Sequence, residues 1–247
     1  MIRGLYTAAT GMISESIRTD VISNNIANVN TTGYKKDEAI NTDFASVLLK
    51  RVNDGEVKEV GKLGRGTVVS DVVVSQNQGA VRKTDNDFDL AIDGKGFFVI
   101  DTPKGERYTR NGSFMRSSNG ELVTSDGYKV MGNAGAITVS ENAEFTVSPT
   151  GEIVVDGVAT DNLRMVDFAE GVKLDKEGSS LFKAPAGTRT NEATGTVVQG
   201  SIEMSNVNVV GEMVKLITAY RAYETNAKAV QSQDSMLDKA VNEVGKI

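Results

Sequence analysis

Three short stretches hold residue types that could do chemistry. Asp85-Asn86-Asp87-Phe88-Asp89 spaces its carboxylates like the start of a calcium loop. Such a loop needs glycine at its sixth place and an acidic residue at its twelfth. Here those places hold Leu90 and Gly96, which makes an acidic turn entering a strand the better reading. Ser180 and Lys183 have the S-x-x-K spacing of some acyl-transfer nucleophiles, but G-x-S-x-G and the partner motifs are missing. Gly64-Arg65-Gly66 and Gly94-Lys95-Gly96 match neither phosphate-cradling pattern and predict tight turns. Asp and Glu are plentiful, yet no spacing selects a glycosidase-type pair. The chain has no His, Cys or Trp. Without His the usual general base, metal ligand and neutral-pH switch are gone together. The expectation is a protein that is not an enzyme, with no catalytic residue, no metal and no cofactor.

The 247 residues carry a formal net charge of −6, which argues against a nucleic-acid partner, because phosphate binding is built from clustered Lys and Arg. The basic pairs Lys35-Lys36 and Lys50-Arg51 stand apart and read as solvated surface. No apolar run approaches the roughly 20 residues of a membrane span. Met1 to Leu5 shows no basic-then-apolar signal segment, which predicts a cytoplasmic protein or export without signal cleavage.

What must position any site is a pair of long helices at the two ends of the chain. Ile2, Leu5, Ala9, Ile13, Ile17 and Val21 fall on one helical stripe, with Met12, Ile22 and Ile26 beside it. Gly4 and Gly11 weaken that helix but permit close backbone approach. The helix should end in the Asn-rich stretch from Ser23 to Gly33, where side-chain amides and hydroxyls compete for backbone hydrogen bonds. Near the other end, Val209, Met213, Leu216, Tyr220, Tyr223, Ala227, Val230, Asp234, Leu237, Val241 and Val244 alternate steps of 4 and 3. That is the heptad seam of a helix lying along another helix. Asn208 is placed to cap it, Glu224 and Lys228 form a favourable i, i+4 pair, and Gly245 would stop it. Asp234 is the charged exception on the seam, either a solvent-facing position or a register device against a neighbouring subunit. A lone pair of such helices is marginal, so contacts between subunits are favoured.

Between the helices the period changes. From Lys35 to Gly66 the pattern weakens, with a short amphipathic helix at Phe44, Val47 and Leu48 and a loop from Gly61 to Gly66. Thr67 to Ser75 is rich in β-branched residues and predicts a strand. Further strands are predicted at 97–100, 107–109, 121–124, 128–131, 136–139, 144–147, 153–155 and 163–168. Asn111-Gly112, Asn119-Gly120, Asp126-Gly127 and Asp156-Gly157 supply hairpin-turn chemistry between them. The expected class is α+β: long terminal helices paired as a coiled-coil-like hairpin, and a central, mostly antiparallel β domain. The expected divisions are 1–33 for the first helix and Asn-rich bend, 34–66 for a flexible or extended connector, 67–200 for the β domain, and 201–247 for the return segment and last helix.

Four motifs then stand in order along nearly the whole chain. Ser23-Asn24-Asn25-Ile26-Ala27-Asn28-Val29-Asn30-Thr31-Thr32-Gly33-Tyr34-Lys35 resembles the signature that follows the first helix of flagellar rod, hook and hook-associated axial proteins. Asp89 to Phe98 resembles a central motif of the rod and hook proteins, continued by Tyr108 to Phe114 and Gly120 to Thr124. Gln199 to Val210, with Arg221-Ala222-Tyr223-Glu224, resembles their C-terminal signature. The short chain resembles the basal-body rod members, with a lean to the proximal over the distal type on its length and on Tyr128 to Gly132.

The resemblance implies a structural subunit that polymerises into a hollow helical shaft transmitting torque and enclosing an export channel. Its implied partners are copies of itself, other rod and hook proteins, the flagellar export apparatus and the rings around the rod. Its implied location is the basal body, after export across the inner membrane. Subunit packing would fall to Leu5, Ala9, Ile13, Ile17, Val209, Met213, Leu216, Tyr220, Tyr223, Ala227, Val230 and Leu237. The bend would fall to Asn24, Asn25, Asn28, Asn30, Gly33 and Tyr34. The alternative is an extracellular coiled-coil fibre or adhesin-like module, which the seam supports equally and the Asn-rich bend does not.

Overall fold

Helical periodicity at the ends and strand chemistry between them produce an α+β chain. The computed structural model describes residues 2–44, 47–53, 56–141, 143–169, 171–178 and 180–244. Helix α1 (Ile2–Ala27) is followed by β1 (Asp37–Asp43), β2 (Val47–Asn53), β3 (Glu56–Leu63) and β4 (Thr67–Val74). Next come β5 (Val81–Lys83), β6 (Leu90–Asp93), β7 (Phe97–Thr102), β8 (Gly105–Thr109), β9 (Phe114–Arg116), β10 (Leu122–Thr124) and β11 (Lys129–Val130). Then follow β12 (Phe145–Val147), β13 (Glu152–Val155), β14 (Val158–Asn162), β15 (Met165–Phe168), β16 (Asp175–Glu177), β17 (Leu181–Lys183) and β18 (Thr190–Glu192). The chain closes with β19 (Thr196–Gln199), β20 (Ser201–Glu203) and α2 (Val209–Lys239), the last running into a π-helical turn at Ala240–Val244. Gly245, the expected stop, lies outside the described residues.

Two compact units divide the chain. One carries α1 as far as Ile26, residues Asp37–Val73 and α2; the other carries Ala27–Lys36 and Val74–Asn208. The second unit centres on β7. Its run Phe97-Phe98-Val99-Ile100 is buried on both faces, as expected of a strand with packing above and below. Phe97 and Val99 enter a cluster with Tyr108, Val166, Phe168, Leu174 and Phe182. Phe98 enters the other, with Leu90, Phe114, Leu122, Val130, Phe145 and Ile153. Each such buried side chain contributes about 1.5–3 kcal/mol.

Strand β7 pairs antiparallel with β8 along one edge; its other edge is shared between β15, at Phe97 and Phe98, and β11, at Ile100 and Asp101. The sheet continues as β16-β17-β8-β7-β11-β10-β9. Strands β12, β13 and β14 form a separate antiparallel sheet. Its tight turn is Asp156-Gly157, with φ of 52° and 78°, the left-handed pair a type I′ hairpin demands. The return segment pairs backwards: β19 with β6, and β20 with β5.

In the first unit, β1 pairs with β4 and β2 with β3. The short helix expected at Phe44, Val47 and Leu48 is not formed; the backbone is strand from Val47. The apolar spacing there is too brief to choose between periods, and the pairing with β3 decides. Residues 136–139 are likewise not a strand and make only isolated bridges, Glu121 to Thr138 and Met131 to Ala136. Asn111-Gly112 is not a hairpin turn either: a Cβ on Gly112 would sit 1.6 Å from the Leu90 carbonyl oxygen. The glycine there permits two backbones to touch.

Candidate functional site: a buried charge cluster and two helix faces

Lys35, expected on the surface, is 1% exposed. Its Nζ lies 2.5 Å from Glu203 Oε1 and also donates to the Asn77 carbonyl at 2.8 Å. Glu203 Oε1 accepts the Gly79 amide as well, at 2.8 Å, and Oε2 accepts Arg110 Nη1 at 3.2 Å. The same guanidinium donates to the carbonyls of Ile92 and Gly94 and lies 5.2 Å from the centre of the Phe97 ring. One carboxylate therefore holds two cations from distant segments, all three buried. Burial, the largest influence, pulls the Lys35 amine below its ordinary value, opposed by the Glu203 charge.

The bend is fastened around this cluster. Gly33 takes φ of 67° and donates its amide to the Glu203 carbonyl at 2.8 Å. A Cβ at that position would meet the Asn111 amide nitrogen at 2.2 Å. Thr32 Oγ1 donates to Asn111 Oδ1 at 2.7 Å. Tyr34 is buried beneath Lys176, whose Nζ lies 3.7 Å from the ring centre and donates to the Lys35 carbonyl. Asn206 Oδ1 accepts the Lys36 amide, while its Nδ2 donates to the carbonyls of Ser75 and Asn77.

Of the expected bend residues, Gly33 and Tyr34 lie in this cluster, and Asn28 Oδ1 accepts Thr31 Oγ1 within the turn. In the first unit, Asn25 is buried and exchanges two hydrogen bonds with the backbone of Asp37 through its side-chain amide. Asn24 and Asn30 are exposed. Sequence reasoning missed Arg110 and Glu203, although both lie inside motifs it had marked.

The helices carry the other expected residues. On α1 the buried positions are Ala8, Gly11, Ser14, Ile22 and Asn25. Leu5 and Ala9 are half-buried, while Ile13 is 59% exposed and Ile17 is also exposed. On α2 Glu212 and Ala219 are buried. Val209, Leu216, Ala227, Val230 and Leu237 are half-buried, whereas Met213, Tyr220 and Tyr223 are exposed. A Cβ on Gly4 would lie 3.2 Å from Gln233 Nε2, and one on Gly11 would lie 2.8 Å from Asn226 Nδ2. Both contacts step by seven residues in opposite directions, so the two helices approach antiparallel there. The covered side of α2 is thus Glu212, Ala219, Asn226 and Gln233, one residue before the expected Met213, Tyr220, Ala227 and Asp234. Glu224 and Lys228 pair at 3.2 Å on the solvent side.

The stretches with catalytic spacing do other work. Ser180 accepts Thr109 Oγ1 on its carbonyl. It lies in the turn before β17, which begins at Leu181 and ends at Lys183, and no hydrogen bond between the Ser180 and Lys183 side chains is formed among the described residues. Asp85 pairs with Lys83 at 2.6 Å on the surface. Among the described residues no group of three acidic side chains is placed to hold a metal, and no helix is long and apolar enough to cross a membrane.

The bend, the central strand region and the return segment into α2 coincide with three family matches. The family described as Flagella basal body rod protein matches residues 5–35; Flagellar hook protein FlgE/F/G D1 domain matches 91–155; and Flagellar basal body rod FlgEFG protein C-terminal matches 198–243. Lys35, Arg110 and Glu203 each fall in a different match. The chain belongs to the flagellar basal-body rod protein family and is a structural subunit of the rod, in the flagellar basal body. Among its relatives, Flagellar basal-body rod protein FlgG of Borreliella burgdorferi (strain B31) is 38% identical over 266 aligned residues, covering 98% of each chain. FlgG of Bacillus subtilis (strain 168) is 35% identical, covering 98% of this chain and 99% of its own. Flagellar hook-basal body complex protein FlhO of the same strain is 31% identical over the full length of both.

Proposed function

We propose that the subunit polymerises through α1 and α2 into a hollow helical shaft that transmits torque and encloses an export channel. The observation that carries this is the sidedness of the helices. Where they approach each other they present Gly, Asn and Gln beside the partly covered Leu216, Val230 and Leu237; other large apolar residues, Ile13, Met213 and Tyr220 among them, stay exposed. Burying those residues between copies supplies association energy that one subunit cannot obtain alone. In this reading the helices pair in the manner of a coiled coil, and the exposed packing residues, Ile13, Ile17, Met213, Tyr220 and Tyr223, act between subunits.

The subunit is exported through the flagellar apparatus without signal cleavage, meets other rod and hook proteins at its ends and the rings on its flank, and has no catalytic role. The relatives matched over nearly the whole chain include FlgG rod proteins, and this reading takes the distal rather than the proximal type. Light scattering on purified protein tests the reading. Concentration-dependent open polymers that disappear in the Met213→Ser, Tyr220→Ser double variant support it; a small closed oligomer at every concentration overturns it.

A further inference from the structure

We infer that Glu203 is a charge-counted latch that fastens the bend at residues 31–36 only after strand β20 has paired. The latch joins three segments that are remote in sequence. Lys35 comes from the end of the bend, Arg110 from the loop after β8, and Glu203 from the last strand before α2. The side chains of all three are at least nine-tenths buried. The charged groups facing Lys35 are Glu203 and Arg110, with Lys176 on its carbonyl; Asp167 acts on Arg110 from β15.

Two buried cations and one carboxylate make an unequal set. Without Glu203, Lys35 and Arg110 face each other with no anion between them, and like charges in a poorly solvated site repel strongly. Without Lys35, a balanced Arg110–Glu203 pair remains. The backbone follows the same logic. The Gly33 amide donates to the carbonyl of Glu203, and the Gly79 amide donates to its carboxylate. Strand β20 pairs Glu203 with Val81, so its arrival brings the anion and the acceptor for the bend together. Until then the bend has neither counter-ion nor backbone partner at this site. The bend and the return strand are therefore set in one event.

The experiment is hydrogen exchange on the full chain and on the variants Glu203→Gln, Lys35→Met and their combination. Exchange should rise at least about tenfold in Glu203→Gln at residues 31–36 and 201–206, while 97–102 in the central sheet changes by less than about threefold. Lys35→Met should open the bend less than Glu203→Gln does, and adding it to Glu203→Gln should restore part of the lost protection. Equal effects of the two single variants, or a double variant worse than Glu203→Gln, overturn the charge-count argument. If Glu203→Gln fails to fold, Lys35→Met decides. Loosening confined to residues 31–36, with 201–206 protected, supports the latch; unfolding of the whole β domain shows a simple core contact and overturns it.

Discussion

Gly11 of α1 faces Asn226 of α2 so closely that a methyl group on Gly11 would lie 2.8 Å from the Asn226 amide nitrogen. The obstacle is the far end of a flexible side chain, which sets a size-dependent outcome. Gly11→Ala should be tolerated: Asn226 swings aside, and the helix gains up to about 1 kcal/mol of intrinsic preference. Gly11→Leu cannot be accommodated and should separate the helices. The critical concentration for polymerisation checks both, unchanged or lower for Ala and raised at least about tenfold for Leu.

A different glycine fixes the β domain. Gly112 lies against the Leu90 carbonyl and accepts the Leu90 amide at 2.9 Å. Here the obstacle is backbone on both sides. Gly112→Ala should cost about 3 kcal/mol or more, as overpacking does where nothing can yield. Urea unfolding of the β domain measures it.

Glu177 supplies a pH dependence. Hydrogen bonds from Lys104 Nζ, at 2.9 Å, and Arg107 Nε, at 2.6 Å, hold its pKa at about 2, against an ordinary 4.5. A depressed carboxyl pKa contributes stability that is fully present above the unfolded value and is lost as pH falls through the folded one. The contribution should therefore be complete above pH 4.5 and fade toward pH 2. Glu177→Gln removes that part of the acid slope. Unfolding curves of the two proteins should diverge above pH 4.5 and converge toward pH 2; parallel curves contradict the assignment.

The β-rich middle and the two helices were legible because their periods differ and because Asp-Gly and Asn-Gly pairs punctuate the strands. The phase of the α2 seam was only half legible. Leu216, Val230 and Leu237 are partly covered, whereas Met213 and Tyr220 are exposed. Hydropathy follows large apolar residues, and here the close approach within one subunit uses Gly4, Gly11, Asn226 and Gln233 instead. The charge cluster was illegible. Lys35, Arg110 and Glu203 are 75 and 93 residues apart along the chain, and an isolated basic pair gives no sign that a carboxylate from a distant strand will bury it.

Asp234 was the discordant residue on the expected seam, and its side chain is exposed next to the covered Gln233. Asp234→Leu should leave the monomer within about 0.5 kcal/mol of the original, as surface changes do. A register role between subunits then requires reduced polymer yield and impaired motility. Unchanged assembly and swimming would remove that role.

Polymerisation through the terminal helices requires that α1 and α2 acquire their full stability between subunits. Hydrogen exchange along both helices, compared in the monomer and in the assembled polymer, tests it most directly. Rapid exchange through much of α1 and α2 in the monomer and strong protection in the polymer, with the β7 sheet protected in both, is the expected result. Helices already fully protected in the monomer, with no further change on assembly, would contradict it.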